Sequence, residues 1–156
     1  MMTEEDRILL LKDLCCRVPY GTMVEIHGSY DDGEEYIRIS ELDAPMVNYV
    51  FDEEKSIKPY LRPMSSMTED EKLHVNVNYR FFYNDGVFEN IDIFETGGYY
   101  DRDGNYNEIM TQRATLHVTM NDVLNLINWL NSHHFDYRGL IEKGLAIEVT
   151  DENNHL

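Results

Sequence analysis

Two hydrophobic rhythms alternate along the chain, and together they place its elements. Ile8, Leu11, Leu14 and Cys15 recur at helical spacing behind Thr3, which can cap a helix whose first turn carries Glu4, Glu5 and Asp6 against the positive end of the dipole. That helix stops at Val18-Pro19-Tyr20-Gly21, because a residue before proline resists the α conformation and glycine permits a turn. Period-two patterning then predicts a strand over 22–27 and a second one carrying Tyr36, Ile37 and Ile39, joined through Asp31-Asp32-Gly33. Paired as a hairpin, they are expected to turn Val24, Ile26, Ile37 and Ile39 toward the core. Pro45 permits an edge strand over 44–51 with Val47, Tyr49 and Phe51, and Pro59 and Pro63 exclude a helix over 55–66 and favour an extended connector.

Thr68-Glu69-Asp70-Glu71 is a capping box, so a helix starts there; yet Leu73, Val75, Val77, Tyr79 and Phe81 alternate with polar residues. The expectation is a helical turn or two giving way to a strand near Val75. Asn84-Asp85-Gly86 predicts a hairpin joining 77–83 to 87–95, and Gly97-Gly98 interrupts the stretch after it. Thr119 caps a helix over about 119–132 with Val123, Leu126, Ile127 and Leu130 as its apolar stripe. Asp136 is placed to cap a short helical piece through Ile141, closed by Gly144, after which Leu145, Ile147 and Val149 alternate as a last strand. A polar tail runs from about 151. The expected fold is α+β, an antiparallel sheet of hairpins packed by an N-terminal and a C-terminal helix. With 156 residues, and no repeat or linker, 1–156 reads as a single domain.

Charge changes what this fold can meet. Asp and Glu number 30 against 13 Lys and Arg, a formal net charge of −17, and no run of cations concentrates the remainder. Such a surface repels nucleic-acid and anionic-lipid phosphates, so direct nucleic-acid binding and membrane association are not expected. It suits solubility, a basic protein partner, or imitation of DNA. The acidic start lacks a secretory signal, and the longest wholly apolar run, residues 8–11, is too short to span a bilayer. Cys15 and Cys16 are adjacent, which suits neither a mutual disulfide nor a spaced metal knuckle; Cys15 is expected to be a buried small hydrophobe, in a reduced, cytoplasmic setting.

Few constellations carry chemistry. Asp101-Arg102-Asp103-Gly104-Asn105 alternates acids like a calcium loop, but Tyr106 stands where that loop needs glycine, and a hairpin turn explains it better. The phrases Leu73-His74-Val75-Asn76 and Leu116-His117-Val118-Thr119 are alike, and paired His-x-Thr/Ser strands would suit a two-histidine phosphoesterase; Asn76 departs from that pattern. His133-His134-Phe135-Asp136 offers three nitrogen or oxygen ligands, but neighbouring histidines rarely face one ion. There is no Gly-rich phosphate loop, nucleophile elbow or paired-cysteine motif, so no catalytic residue, cofactor or metal is assigned. The remaining candidates are Tyr60 and Arg62 in the proline-fixed segment, with His133, His134, Asp136, Tyr137 and Arg138 in the loop behind the last helix. In a chain poor in cations these arginines suggest either an internal bidentate pair with a carboxylate such as Asp136, or a patch that grips a partner through Tyr and Arg.

The phrase Lys58-Pro59-Tyr60-Leu61-Arg62-Pro63-Met64-Ser65-Ser66-Met67-Thr68, and the phrase from Trp129-Leu130-Asn131 through His133-His134-Phe135-Asp136-Tyr137-Arg138-Gly139-Leu140-Ile141 to Gly144-Leu145-Ala146, resemble wording in small uncharacterised acidic proteins of prophages and mobile elements of gut bacteria. That resemblance covers about a fifth of the chain and implies context only, an accessory protein of phage or mobile-element origin, with no residue given a role. Three readings therefore stand: a non-enzymatic accessory protein binding a host or phage protein through its acidic surface, DNA mimicry included; a small enzyme or ligand-binding protein with a site between 58–68 and 133–141; and a structural or assembly component.

Overall fold

The computed structural model describes residues 1–84, 87–90, 92–115 and 118–155, with the side chains of 90, 92–96 and 111–115 outside the description. These residues form α+β structure in two compact units, one of residues 1–66 with 127–156 and one of residues 67–126.

The first unit begins with helix α1, Glu4–Arg17, where Thr3 Oγ1 accepts the Asp6 N–H at 3.1 Å as expected of its cap. The helix ends where proline and glycine predict. A 3₁₀ turn comes next over Val18–Tyr20, and Gly21 takes a left-handed φ of 64° that few other residues would tolerate. The buried face only partly follows the expected stripe: Leu14 is buried and Leu11 packs against the core, but Ile8 and Cys15 are exposed, and Leu10, Asp13 and Arg17 join Leu14 inside. That set keeps the i, i+3, i+4, i+7 rhythm but includes two charges, which a purely apolar search overlooks.

Strands β1, Met23–Ser29, and β2, Glu35–Glu41, make the expected hairpin. Its register pairs Val24 with Ser40 and Ile26 with Arg38, so Ile37 and Ile39 stand opposite His27 and Glu25 on the other face. Ile37 is 64% and Ile39 41% exposed. The expectation that all four face the core is thus half right. The segment expected as an edge strand is a 3₁₀ helix over Pro45–Phe51, with proline at its start and Val47 and Val50, three apart, buried while Phe51 is exposed.

The connector over 55–66 is extended only in its first part, strand β3, Ser56–Leu61, antiparallel to β1; its end, Met64–Ser66, is a 3₁₀ turn. Pro59 is accommodated because the far edge of β3 is paired only at Tyr60 and Leu61, by the short parallel strand β8, Ile147–Glu148. The sheet order is β2-β1-β3-β8, mixed and not purely antiparallel. Its inner face, Val24, Ile26, Ile57 and Leu61, meets Leu10 and Leu14 of α1, and Leu140, Leu145 and Ala146 complete the core.

In the second unit the capping box forms fully: Thr68 Oγ1 accepts the Glu71 N–H and the Glu71 carboxylate accepts the Thr68 N–H. Helix α2 then runs through Glu69–Tyr79, past the point where a strand was expected, and ends on Arg80 at φ 61°. The alternation there is incidental, since Val75 is buried while Leu73 and Val77 are exposed. Strands β4, Phe81–Asn84, and β5, Val87–Asn90, pair antiparallel, with the predicted turn at 85 and 86 outside the described residues. A long antiparallel ribbon comes after them, β6 over Asp92–Tyr100 and β7 over Tyr106–Thr115. Asp101-Arg102-Asp103-Gly104-Asn105 is its hairpin turn, as expected, with Asp101 Oδ1 accepting from the Asp103 and Asn105 N–H groups at 2.9 Å. These bonds hold the Asp101 carboxyl below its usual range. Helix α3, Met120–Ser132, carries Thr119 as its cap, and its last residues from Ile127 belong to the first unit.

Candidate functional site

Residues 133–138 leave α3 and immediately join the end of β3. The Arg62 N–H donates to the His134 carbonyl and the Asp136 N–H to the Arg62 carbonyl, both at 2.8 Å, a parallel bridge between Arg62 and Phe135. The two segments suspected from the sequence are therefore adjacent, and at this bridge their backbones bond directly. Phe135, fully buried, is the hub, with Trp129 stacked at 5.8 Å and the Arg62 guanidinium 4.1 Å from its ring centre.

Behind Phe135 lies the ion pair that sequence reasoning missed. Arg17 Nε and Nη2 donate to the two Asp13 oxygens at 2.7 and 3.1 Å, and Nη2 also donates to the Phe135 carbonyl at 2.7 Å. Both side chains are wholly buried. Arg138 adds a second guanidinium, its Nε 3.5 Å from Asp13 Oδ1 and its Nη2 3.7 Å from Cys16 Sγ. Burial pulls the Arg138 pKa down, but Tyr137, Asp13 and Cys16 outweigh it and leave it raised. Tyr137 lies between the two arginines, 5.6 Å from Arg17 and 5.1 Å from Arg138, and its hydroxyl donates to Asn131 Oδ1 at 3.0 Å. The sequence did hold the signal: Asp13 and Arg17 are four apart, in the helical pairing geometry, on the same stripe as Leu10 and Leu14.

The expected bidentate partner, Asp136, is engaged elsewhere. Its two oxygens accept the Leu140 and Ile141 N–H groups at 2.8 Å each. It does organise the loop, but as a turn and not as the cap of a helical piece; residues 137–144 are turns closed by Gly144 at φ 71°. His133 stacks on Trp129 at 4.3 Å with Nδ1 3.0 Å from the Trp129 carbonyl. His134 adopts φ 62°, and its Nδ1 lies 3.3 Å from Thr22 Oγ1. Burial first, then Arg17, His133 and Arg62, hold its pKa below the ordinary histidine value. Among the described residues no group of three His, Cys, Asp or Glu is arranged to hold a metal.

Tyr60 belongs to a different cluster on the outer sheet face. Its hydroxyl donates to Glu25 Oε2 at 2.7 Å, and His27 Nε2 lies 2.6 Å from Glu25 Oε1. Burial and the carboxylate push the Tyr60 pKa up to about 12, and the bonds from His27 and Tyr60 hold Glu25 low. His155 covers the Tyr60 ring edge-on at 4.8 Å. Glu25 and His27 are two apart on a strand and so share a face, which the sequence could have indicated. His74, proposed as one of two strand histidines, lies on α2, 3.2 Å from the Asn78 side chain; His117 lies outside the described residues.

The ribbon exposes apolar side chains on both of its faces, Tyr100, Tyr106 and Met110 on one and Tyr99 and Ile109 on the other. Tyr99, Tyr100, Tyr106, Ile109 and Met110 are 47–74% exposed beside exposed Arg102, Asp103 and Glu108. Tyr100 and Tyr106 pair across the strands, ring centres 5.3 Å apart. Gly98 makes room for the Tyr106 ring, with which a Cβ at that position would collide. The hydrophobic rhythm conceals this group, because Gly97 and Gly98 interrupt it.

The class defined by these observations is α+β, with no helix among the described residues long and apolar enough to cross a membrane. Comparison with known proteins finds no matching family model, curated protein or solved structure.

Proposed function

We propose that the protein acts by binding another protein that presents a basic surface, as a non-enzymatic accessory protein. One observation supports this most directly: one face of the β6–β7 ribbon exposes Tyr100, Tyr106 and Met110 beside Glu108, with Tyr99 and Ile109 exposed on the other face. Rigid amphipathic tyrosines supply large contact area at small entropic cost, and with arginine they are the residue types that dominate binding hot spots. The net charge of −17 adds long-range attraction for a cationic partner and repulsion of nucleic acid. The phage or mobile-element setting rests on the 58–68 and 129–146 phrases alone; a host or phage protein is the partner that setting suggests, and DNA mimicry is the narrower form.

Most of the candidate residues in the 133–138 loop are engaged inside the fold. Asp136 is spent on backbone amides and Tyr137 on Asn131, while Arg138 approaches Asp13. This favours a scaffold role for that cluster. The test is affinity capture from host lysate, with and without phage infection, using the wild-type chain beside a Tyr99→Ser/Tyr100→Ser/Tyr106→Ser variant. A stoichiometric basic partner retained at low salt, and lost both at 0.5 M salt and with the variant, is the expected result. Retention by the variant at wild-type level contradicts the assignment to the ribbon.

A further inference from the structure

Strand β2 lies at one edge of the four-stranded sheet, and among the described residues no strand pairs with its outer side. Its pairing with β1 runs without a register shift from Met23 opposite Glu41 to Ser29 opposite Glu35. Backbone bonds fix the phase of that ladder at both ends. The Tyr30 N–H donates to the Glu34 carbonyl and the Leu42 N–H to the Thr22 carbonyl, each at 2.8 Å. Bonded and unbonded pairs alternate in an antiparallel ladder, so Tyr36, Arg38 and Ser40 bond to β1 while Glu35, Ile37 and Ile39 turn their N–H and carbonyl groups outward. Edge strands are ordinarily blunted by proline, by a bulge or by shortness. The opposite edge, β8, is two residues long. β2 is seven residues long, has neither proline nor bulge, and leaves Ile37 and Ile39 exposed on one face with Glu35 and Glu41 at either end of it.

Glu35 also opens onto a cleft of about 550 Å³ that it lines with Tyr36, Glu53 and Glu54. The two basic side chains of that cleft are already engaged: Lys55 lies over the Tyr49 ring at 4.4 Å with Asp52 at 3.7 Å, and His27 is bonded to Glu25. An open edge with an apolar middle and acidic ends is complementary to an extended segment with an apolar middle and cationic ends. We infer that β2 binds such a segment of another protein as an added strand. The segment's backbone bonds to Glu35, Ile37 and Ile39, its apolar side chains lie on the two isoleucines, and its Lys or Arg residues face Glu35 and Glu41. A second copy of the chain fits poorly: full-length antiparallel self-pairing of β2 sets Arg38 against Arg38 and Glu35 against Glu41, between chains of formal charge −17. β2 belongs to the first unit, and the inference holds or fails independently of the ribbon.

The probe is the end-blocked heptapeptide Lys-Thr-Val-Thr-Val-Thr-Lys, titrated into the full chain and followed by amide chemical shifts. Two relatives accompany it: one with Glu in place of both Lys, and one N-methylated at both Val, which removes the donors that would meet Ile37 and Ile39. Saturable one-to-one binding by about 1 mM peptide is expected, with shifts concentrated in residues 35–41. Both relatives should bind at least about tenfold more weakly, since each loses two charge pairs or two hydrogen bonds. Ile37→Pro removes an outward N–H and no bond to β1, and should weaken the lysine peptide about tenfold; its melting temperature reports whether the fold is retained. Absence of saturable binding, equal affinity for either relative, shifts confined to residues outside 35–41, or an unaltered affinity in a folded Ile37→Pro variant each overturns the inference. So does a dimer of the free chain in sedimentation that Ile37→Pro dissolves, which would assign the edge to a second copy. The three titrations of the wild-type chain decide the matter even where the variant does not fold.

Discussion

Asp13 and Arg17 carry opposite charges into a space that excludes water, so each depends on the other. Removing one partner of a buried pair leaves an uncompensated charge and costs about 3–5 kcal/mol, whereas replacing both by apolar residues of similar volume is often close to neutral. Asp13→Ala is therefore expected to lower stability to urea by about that amount, leaving Arg17 and Arg138 facing one another. Asp13→Leu combined with Arg17→Met should recover much of the loss, except that the Phe135 carbonyl then lacks its donor. Asp136→Ala, which frees two amides, should cost about 2 kcal/mol or more by the same measurement. His134 governs a pH dependence. Its folded-state pKa is depressed below 6.5, so the unfolded chain takes up the proton first, and stability falls as pH drops below about 6.5 toward the depressed value. His134→Asn, which tolerates the left-handed backbone, should flatten that slope in denaturation curves taken across pH 5 to 7; an unchanged slope would place the titration elsewhere.

Elements were legible wherever local chemistry stood alone. The Thr3 and Thr119 caps, the Pro19-Tyr20-Gly21 stop and the Asp101 turn each contain their own hydrogen bonds or fixed dihedrals, and each forms as its residues predict. Periodicity misled where one buried position sufficed. On α2 only Val75 is buried, so the alternating Leu73 and Val77 carried no information, and the capping box at Thr68 decided the outcome. Thr68→Ala should reduce helicity near 69–79 and cost about 1 kcal/mol by circular dichroism and denaturation. The β1–β2 register shows the same limit, since the pairing that puts Val24 and Ile26 inward puts Ile37 and Ile39 outward. Long-range facts were out of reach. That Arg17 would meet a carbonyl 118 residues away, or that Tyr60 would meet Glu25 and not Arg138, depends on tertiary packing and on no local pattern.

Across the whole molecule, the residues that hold the fold are distinct from those proposed to meet other molecules. The arginines and histidines behind α3 are engaged inside the first unit; the carboxylate-rich surface and the exposed tyrosines of the ribbon are the proposed contact surface. Hydrogen–deuterium exchange on the chain, free and with its captured partner, tests that separation. The prediction is slowed exchange concentrated in residues 97–110, with the amides of 133–141 protected to the same degree in both states. Protection gained in 133–141 while 97–110 stays unchanged would contradict it, by placing the contact on the residues assigned to the scaffold.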